Sequence, residues 1–408
     1  MSNDARRIAR NAALILGTCF TLNLLTRGAV ETYAVFLLPL SADFGWDRTA
    51  VSGVYSLTFI ILGTAGPAIG WLFDRFGPTR IYLLGIACMV TAMLLASQAT
   101  ALWHFYAAMG LLLGFGAGCV GSVPTATLLS RWFQRRLHSA LAVAYASGGI
   151  GIMLLAPSAQ YLIDAFGWRT AYMALAALLC AALPLILIIR LTRAGEGDPR
   201  QAVARASAGR GEPGLTLDQA VRTTAFWGLI WTFCLTGIGM YTVMLQTPAF
   251  LTEIGYAPQA AAQAFGLVGV LAPVGMITFG WLGDRIGRRR AILLSYGLTL
   301  GGIACLLALA RQPSLLLLTG FVCLFGGSFG SRGPAITTVA ATIFRGPHLG
   351  RIYGCITIGM GFGGGLGAYF GGFWHDATGG YEAGMIFAFV MVTLGSLPFI
   401  LVPAIAKS

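Results

Sequence analysis

Residues 70–80 read Gly-Trp-Leu-Phe-Asp-Arg-Phe-Gly-Pro-Thr-Arg, and residues 280–290 read Gly-Trp-Leu-Gly-Asp-Arg-Ile-Gly-Arg-Arg-Arg. The offset between them, 280 minus 70, is 210 residues, and it also relates residues 44–46 (Phe-Gly-Trp) to residues 254–256 (Ile-Gly-Tyr). A chain of 408 residues whose halves repeat at one fixed spacing contains two copies of one fold. Duplicated membrane bundles place a substrate at the interface between their copies, so the repeat predicts a transporter.

The composition predicts an all-α membrane protein. Hydrophobic residues make up 57% of the chain, charged residues make up 10%, and the mean hydropathy is +0.79. A helix needs about 20 apolar residues to cross the hydrocarbon layer. Twelve segments qualify as transmembrane helices: 12–40, 50–72, 81–99, 102–130, 137–164, 169–191, 225–251, 262–283, 291–310, 314–343, 352–373 and 382–403.

The twelve predicted spans divide equally between the two copies of the repeat. We therefore expect two six-helix bundles, one at residues 1–192 and one at residues 223–408. The residues between them, 193–222, are hydrophilic and rich in Gly, Pro, Arg, Glu and Asp. This composition predicts a flexible cytoplasmic linker with room for a short surface helix.

The positive charge predicts the orientation in the membrane. With the N-terminus inside, 21 of the 26 Lys and Arg residues lie in cytoplasmic segments. The opposite face carries only Arg48, Arg169 and Arg311. This bias predicts cytoplasmic N- and C-termini in a multi-pass protein of the cell (inner) membrane. Because the net charge of +12 follows the topology, it gives no support to nucleic-acid binding.

Catalytic and metal-binding patterns are not found in the sequence. All eight cysteines fall inside apolar runs without metal-ligand spacing, which is typical of small packing residues. The four histidines lie near span ends, and no Ser-His-Asp, metal or phosphate-loop arrangement occurs. We therefore expect no enzyme activity, no metal and no cofactor.

Three charged residues remain inside the predicted spans. They are Arg27 and Glu31 in span 1 and Arg332 in span 10. A charge at this depth costs at least about 2.5–3.5 kcal/mol on insertion scales, so it faces a cavity or a partner. Arg27 and Glu31 are spaced i, i+4, and the alternative that they merely neutralise each other stays open. Arg332 has no acid within four residues, which makes it the stronger candidate for substrate binding.

Polar residues surround these charges in the repeat. Asn23, Arg27 and Glu31 form one stripe along span 1. The offset relates Glu31 to Tyr241 and Arg332 to Ser122, so spans 1, 4, 7 and 10 bring polar groups to matching depths. The predicted substrate-binding residues are Arg27, Arg332, Tyr241, Asn23, Ser122 and Gln246.

The chemistry of these residues favours an organic anion. Arginine stays protonated, and its planar fork matches a carboxylate with two hydrogen bonds. Glu31 can gain or lose a proton, and its protonation would free Arg27 for an incoming carboxylate. A fixed cation beside a titratable acid therefore predicts transport of the anion together with a proton.

The repeated motif Gly-x-Leu-x-Asp-Arg-x-Gly resembles the loop signature of the major facilitator superfamily, and the resemblance covers the whole chain. It implies the twelve-helix fold and a conformational latch that holds the outward-open state. The residues that match the latch are Gly70, Asp74, Arg75, Gly280, Asp284 and Arg285. The first copy departs from the basic consensus at Pro78-Thr79, which would weaken its part of the latch.

Shorter motifs resemble the monocarboxylate and oxalate–formate transporter branch of that superfamily. They include residues 35–48, Ser130-Arg-Trp-Phe133 and Gly167-Trp-Arg169. That branch usually carries a substrate-binding Arg in span 8, and residues 262–283 contain none. Span 11 also lacks the Lys of an oxalate exchanger. The resemblance therefore implies a monocarboxylate, with Arg332 and Arg27 in the role of the missing Arg.

We thus expect a monomeric secondary active transporter that moves a small organic anion, by preference a monocarboxylate, with a proton by alternating access. An anion exchanger or an exporter of an amphipathic compound is the alternative within transport, and its uptake would not respond to a pH gradient. A non-transporting membrane sensor on the same fold is the alternative of another class. The short tails outside the spans count against a sensor. The expected partners are the anion, the proton and the lipid bilayer.

Overall fold

The computed structural model describes residues 3–133, 137–191, 215–344 and 349–406, and every regular element among them is helical. Two π-helical segments, 106–113 and 322–326, lie one in each half. The first half contains α1 (Asn3–Glu31), α2 (Tyr33–Phe44), α3 (Arg48–Thr64), α4 (Gly66–Ser97), α5 (Leu102–Phe105), α6 (Gly114–Val120), α7 (Ser122–Ser130), α8 (Leu137–Cys180) and α9 (Leu183–Leu191). After a short helix α10 (Leu217–Val221), the second half contains α11 (Thr224–Glu253), α12 (Pro258–Ile286), α13 (Arg288–Arg311), α14 (Leu315–Phe321), α15 (Gly327–Phe329), α16 (Arg332–Ile343), α17 (Leu349–Thr378), α18 (Glu382–Ser396), α19 (Pro398–Leu401) and α20 (Pro403–Ala406).

Eight helices in the described part of the chain are long and apolar enough to cross a membrane. The predicted all-α membrane protein is therefore confirmed, while the count of twelve spans stays a prediction. The difference arises because α4 and α8 each join two helical rods across a glycine whose backbone is not helical. Gly77 in α4 has φ 78° and Gly167 in α8 has φ 81°, so each of these two helices carries parts of two predicted spans. In addition, α3 has 17 residues, which is short for a span.

The repeat seen in the sequence recurs in the backbone. Gly77 and Gly287, which are 210 residues apart, both have positive φ, at 78° and 89°. Helices α7 and α16 begin at Ser122 and Arg332, which are also 210 residues apart. Only glycine adopts such positive φ values without strain, so these two positions fix matching turns in the two halves.

Helix packing joins the two halves along two seams. Within the first half α1 packs on α8 and α4 packs on α6, and within the second half α11 packs on α17 and α18. Between the halves, α3 packs on α17 and α8 packs on α12. Glycines permit both close approaches, because a Cβ on Gly149 would lie 2.2 Å from the carbonyl oxygen of Gly269 and a Cβ on Gly63 would lie 2.5 Å from the Cα of Gly361.

The predicted linker, residues 193–222, lies mostly outside the described residues, since 192–214 are not part of the description. Its last part forms helix α10, which begins with a capping box. The Thr216 hydroxyl accepts a hydrogen bond from the Gln219 amide, and the Gln219 side chain accepts one from the Thr216 amide. This cap explains why so short a helix forms directly before α11.

Candidate functional site

A cavity of about 960 Å³ lies between the two halves. Helices α1, α3, α4 and α7 line it from the first half, and α11, α16 and α17 line it from the second. Asp74 belongs to its lining and has a 74% exposed side chain, so the cavity is open at that end. We call this end the Asp74 side. Because α3 and the start of α4 run from Arg48 to Asp74, over about 40 Å at 1.5 Å per residue, Arg48 marks the opposite end.

Of the charged pair predicted from span 1, Arg27 lines this cavity and Glu31 is buried behind it. The Arg27 guanidinium lies 2.9 Å from the Glu31 carboxylate and donates a hydrogen bond of 2.8 Å to the Tyr241 hydroxyl. The Arg27 side chain is 36% exposed, whereas that of Glu31 is 2% exposed and accepts a hydrogen bond from Tyr55. Arg27 thus joins an acid of its own half to a tyrosine of the other half while facing the cavity.

An aromatic wall surrounds the guanidinium. The guanidinium carbon of Arg27 lies 5.6 Å from the centre of the Phe59 ring. The ring centres of Phe59 and Tyr241 are 4.4 Å apart, and those of Phe59 and Tyr55 are 4.9 Å apart. The sequence analysis singled out neither Phe59 nor Tyr55 as a binding residue. The available signal was their i, i+4 spacing in span 2, which places both rings on one helix face.

Arg332 occupies a different place from Arg27. It is 4% exposed and is not part of the cavity lining, although the next residue, Gly333, is. Its guanidinium donates to the Ser295 carbonyl at 3.0 Å, to the Thr299 hydroxyl and to the Met240 sulfur, and it lies 4.3 Å from the centre of the Tyr296 ring. Its Nε has no hydrogen-bond partner among the described residues. The structure therefore does not bring the two intramembrane arginines together.

The other predicted binding residues separate in the same way. Ser122 lines the cavity. Asn23 is buried and donates to the Thr125 hydroxyl and the Cys19 carbonyl, both at 2.9 Å. Gln246 is buried and donates to the Ser52 hydroxyl at 3.0 Å. In this conformation Asn23 and Gln246 therefore tie helices together, while Ser122 and Tyr241 join Arg27 at the cavity.

The end of the molecule opposite Asp74 is closed by contacts between the halves, and we call it the Glu253 side. Asp376 of α17 accepts hydrogen bonds from the backbone amides of Arg48 and Thr49, at 3.2 and 2.7 Å, and from the Thr49 hydroxyl at 2.6 Å. These amides are the free donors at the start of α3, so Asp376 caps a helix of the other half. Arg48 also forms an ion pair with Glu253.

Further contacts surround this cap. The His375 ring lies 3.8 Å from Glu253 and 3.4 Å from Asp376. Burial alone would raise the pKa of Asp376, but the hydrogen bonds from Thr49, His375 and Arg48 bring it below the ordinary value of 3.8. Sequence reasoning missed this cluster, because its members lie at span ends in separate parts of the chain.

The predicted latch residues lie on the Asp74 side, where their described contacts stay within one half. Asp74 lies 3.6 Å from Arg131 of the same half, and Arg75 lies 5.2 Å from the ring centre of Trp71. In the second half, Arg285 lies 4.1 Å from the ring centre of Trp281. Asp284, with Gly280, lines a smaller cavity of about 240 Å³ between α12, α13 and α16. Gly70 lines the large cavity.

A helical membrane protein with a repeated architecture and a charged cavity between its halves has the features of a secondary transporter. Comparison with known families agrees with this class. The Major Facilitator Superfamily profile matches residues 18–331 and 274–407, so the chain belongs to this superfamily.

Individual relatives show which members of the superfamily the chain resembles. Monocarboxylate transporter 13 of Bos taurus is 29% identical over 397 residues, covering 96% of this chain and 89% of that protein. Monocarboxylate transporter 12 of Homo sapiens is 26% identical over 368 residues, covering 83% and 71%. The MFS-type transporter YcxA of Bacillus subtilis (strain 168) is 26% identical over 371 residues, covering 90% and 89%.

These findings confirm the resemblance drawn from the repeated motif and its branch. The chain is a multi-pass membrane transporter related to monocarboxylate transporters, and the prediction that it is not an enzyme is also confirmed. The Arg that the branch usually carries in span 8 is missing here. The structure instead presents Arg27, from span 1, to the cavity.

Proposed function

We propose that this protein carries a small monocarboxylate across the cell membrane together with a proton. In the proposed architecture two six-helix bundles, residues 1–192 and 223–408, rock about a site between them while the linker 193–222 spans the gap. The observation that supports the proposal best is the Arg27–Glu31 pair at the cavity, hydrogen-bonded across the halves to Tyr241. The related monocarboxylate transporters support the choice of substrate.

The proposed orientation places the Asp74 side in the cytoplasm, with both termini on that face. It is supported by the excess of Lys and Arg in the segments at that end. The structure then corresponds to an inward-open state, because the cavity reaches the Asp74 side and the Glu253 side is closed. The proposed protein works as a monomer in the inner membrane.

The proposed coupling follows from charge. With Glu31 ionised, its carboxylate neutralises Arg27, and a second carboxylate would find no free positive charge. Protonation of Glu31 leaves the Arg27 guanidinium unpaired, and a substrate carboxylate can then replace Glu31 with two parallel hydrogen bonds. Anion and proton therefore load together, and the loaded site is electrically balanced. Binding of the substrate at Arg27 would also change the contact of Tyr241, in the second half, because Tyr241 is hydrogen-bonded to the same guanidinium.

Arg332 has a separate part in this proposal. It holds α11, α13 and α16 together through Met240, Ser295 and Thr299, and its unpaired Nε is the donor that remains for a ligand. We expect Arg332 to reach the substrate only after the second half rearranges. Arg332→Gln is then expected to fold and to lose binding, and Arg332→Lys is expected to lose most of the affinity because the planar fork is gone.

Transport by purified protein in liposomes tests the proposal. Arg27→Gln should abolish both pH-driven accumulation and counterflow of a labelled monocarboxylate such as acetate, lactate or phenylacetate. Glu31→Gln should retain counterflow but lose accumulation, because the acid that carries the proton is gone. Arg311→Gln is the matched control, since Arg311 is 78% exposed and lies outside the cavity. Normal accumulation by Glu31→Gln would contradict the coupling, and uptake by Arg27→Gln would contradict the binding site.

A further inference from the structure

The cavity that holds Arg27 is otherwise largely apolar. Its walls include Phe59, Leu62, Phe233 and Met360. An apolar wall stabilises a bound molecule only in proportion to the apolar surface that the molecule covers. A short acid would leave most of this wall in contact with water.

Resting on the proposed function, we propose that the preferred cargo is a monocarboxylate with a bulky apolar body, above all an aromatic one. Its carboxylate binds Arg27 and its ring packs against Phe59. Short hydroxy acids and dicarboxylates are disfavoured. The juxtaposition of one guanidinium with one phenylalanine ring, 5.6 Å apart, carries this inference.

The contacts of Arg27 indicate where an aromatic ring would bind. In the structure Tyr241 holds the guanidinium through its hydroxyl while its ring lies 4.4 Å from Phe59. The protein thus already places a polar oxygen on Arg27 and an aromatic ring on Phe59 within one residue. Because Phe59 is 3% exposed in this conformation, a ligand with a carboxylate joined to a ring would take over both contacts from Tyr241, and aromatic rings gain stabilisation from offset or edge contacts beyond the area that they bury.

The charges explain the exclusion of dicarboxylates. Glu31 lies beside Arg27, so the deep part of the cavity offers at most one uncompensated positive charge, and only when Glu31 is protonated. Arg351 is the other cation among the described lining residues, and it lies in the first turns of α17, on the Asp74 side. A second carboxylate near Phe59 would therefore be desolvated without a partner.

Hydroxy acids are disfavoured for a related reason. The hydroxyl group of lactate needs a hydrogen-bond partner when it leaves water. The Tyr241 hydroxyl accepts from Arg27 and keeps one O–H to donate, and the Phe59 ring offers no strong donor or acceptor, so the lactate hydroxyl would find at most one partner beside them. Replacing the hydroxyl by an apolar group removes this cost, so a bare aromatic acid should bind more tightly than a short hydroxy acid.

Equilibrium binding to the full-length protein, measured by calorimetry, tests the inference with acetate, lactate, succinate and phenylacetate. Phenylacetate should bind at least about tenfold more tightly than acetate or lactate, because its ring adds buried apolar surface. Succinate should bind no more tightly than acetate. Phe59→Leu should weaken phenylacetate about three- to tenfold more than it weakens acetate, since the leucine side chain stays apolar but loses the ring contact.

Phe105→Leu is the matched control, because Phe105 is fully buried in the first half and lies outside the cavity lining. It should bind phenylacetate as the unaltered protein does. Equal affinity for phenylacetate and acetate, or equal losses in the two leucine variants, would overturn the aromatic preference while leaving monocarboxylate transport intact. Tight phenylacetate binding that survives Arg27→Gln would instead overturn the proposed site itself.

Discussion

The two ends of this molecule use their charged residues differently. On the Glu253 side, Asp376 and Glu253 of the second half contact Arg48 and Thr49 of the first half. On the Asp74 side, Asp74 pairs with Arg131 of its own half and remains 74% exposed. Charges that cross between the halves close one end, and charges that stay within a half leave the other end open. Whether an end is closed therefore depends on whether its charged residues contact the other half.

The strength of the closed end comes from geometry rather than from the ion pair alone. The Arg48–Glu253 pair is partly exposed, since Glu253 is 39% exposed, and such pairs are worth about 0–1 kcal/mol. A carboxylate that caps a helix start adds about 0.5–2 kcal/mol. Together these contacts contribute on the order of 1–3 kcal/mol, which is enough to bias two states but not to lock one.

The largest expected effect comes from wedging the closed seam apart. A Cβ on Gly361 would lie 2.6 Å from the Cα of Gly63, where backbone atoms cannot yield. Gly361→Leu should therefore destabilise the packing of α3 on α17, the seam that runs from the cavity to the Glu253 side, by about 1–3 kcal/mol. In protein without its native cysteines, an impermeant maleimide added on that side should label Ser56→Cys faster, because Ser56 is buried in the seam.

Gly354→Leu is the matched control for this wedge. Gly354 lies on the same helix and lines the same cavity, and a Cβ there meets nothing within 4 Å. It should leave the labelling of Ser56→Cys unchanged. If both leucines accelerate labelling equally, side-chain bulk in α17 and not the contact with Gly63 controls the seam.

Removing the helix cap should also open the Glu253 side. Asp376→Asn keeps the shape but loses the charge that accepts from the two amides of α3, and it should open the Glu253 side by about 0.5–2 kcal/mol. Ser56→Cys labelling again reports the shift. Asp43→Asn is the control, since hydrogen bonds from Arg169 and Trp168 lower the pKa of Asp43 within the first half alone. An effect of Asp43→Asn as large as that of Asp376→Asn would argue against the cap.

The open end should respond in the opposite direction. If Asp74 and Asp284 belong to a latch that holds the outward-open state, Asp74→Asn should remove a contact worth about 1–3 kcal/mol from that state and favour the state described here. Asp284→Asn should act in the same direction. Labelling of Ser122→Cys from the Glu253 side should then fall, because Ser122 lines the cavity. Unchanged labelling in both variants would show that these loops are not the latch.

Some of these charged residues could be predicted from the sequence and others could not. Arg27 and Glu31 were predicted because two charges four residues apart stand out within an apolar span, and the structure pairs them, with Arg27 lining the cavity and Glu31 buried. Arg332 stood out equally, yet its packing against Tyr296 could not be read from sequence. Asp376 lies 328 residues from Arg48, and each resembles an ordinary surface charge at a span end.

The helices themselves were largely predictable, because apolar length and the 210-residue repeat are properties of the sequence. The count of twelve spans stays a prediction, and the non-helical glycines Gly77 and Gly167 each lie between two consecutive predicted spans. The aromatic partner of Arg27 was hidden. Phe59 is one of 25 phenylalanines in the chain, and only the fold shows which ring faces the guanidinium.

The smallest expected effect concerns pH at the closed end. The pKa of Asp376 is lowered below 3.8, so its contribution to closure is present above that value and is lost only as the pH falls through the lowered pKa. The difference in Ser56→Cys labelling between protein with Asp376 and Asp376→Asn should therefore be the same at pH 8 and pH 5.5, after correction for the pH dependence of the reagent. The measurement is made in His375→Gln protein, because that imidazole contacts Asp376 and Glu253 and would add its own titration.

In unaltered protein, accumulation through Glu31 should respond to the same pH change, which separates coupling from closure. A labelling difference that disappears at pH 5.5 would mean that Asp376 gains a proton in that range and that the cap, like Glu31, takes part in proton coupling.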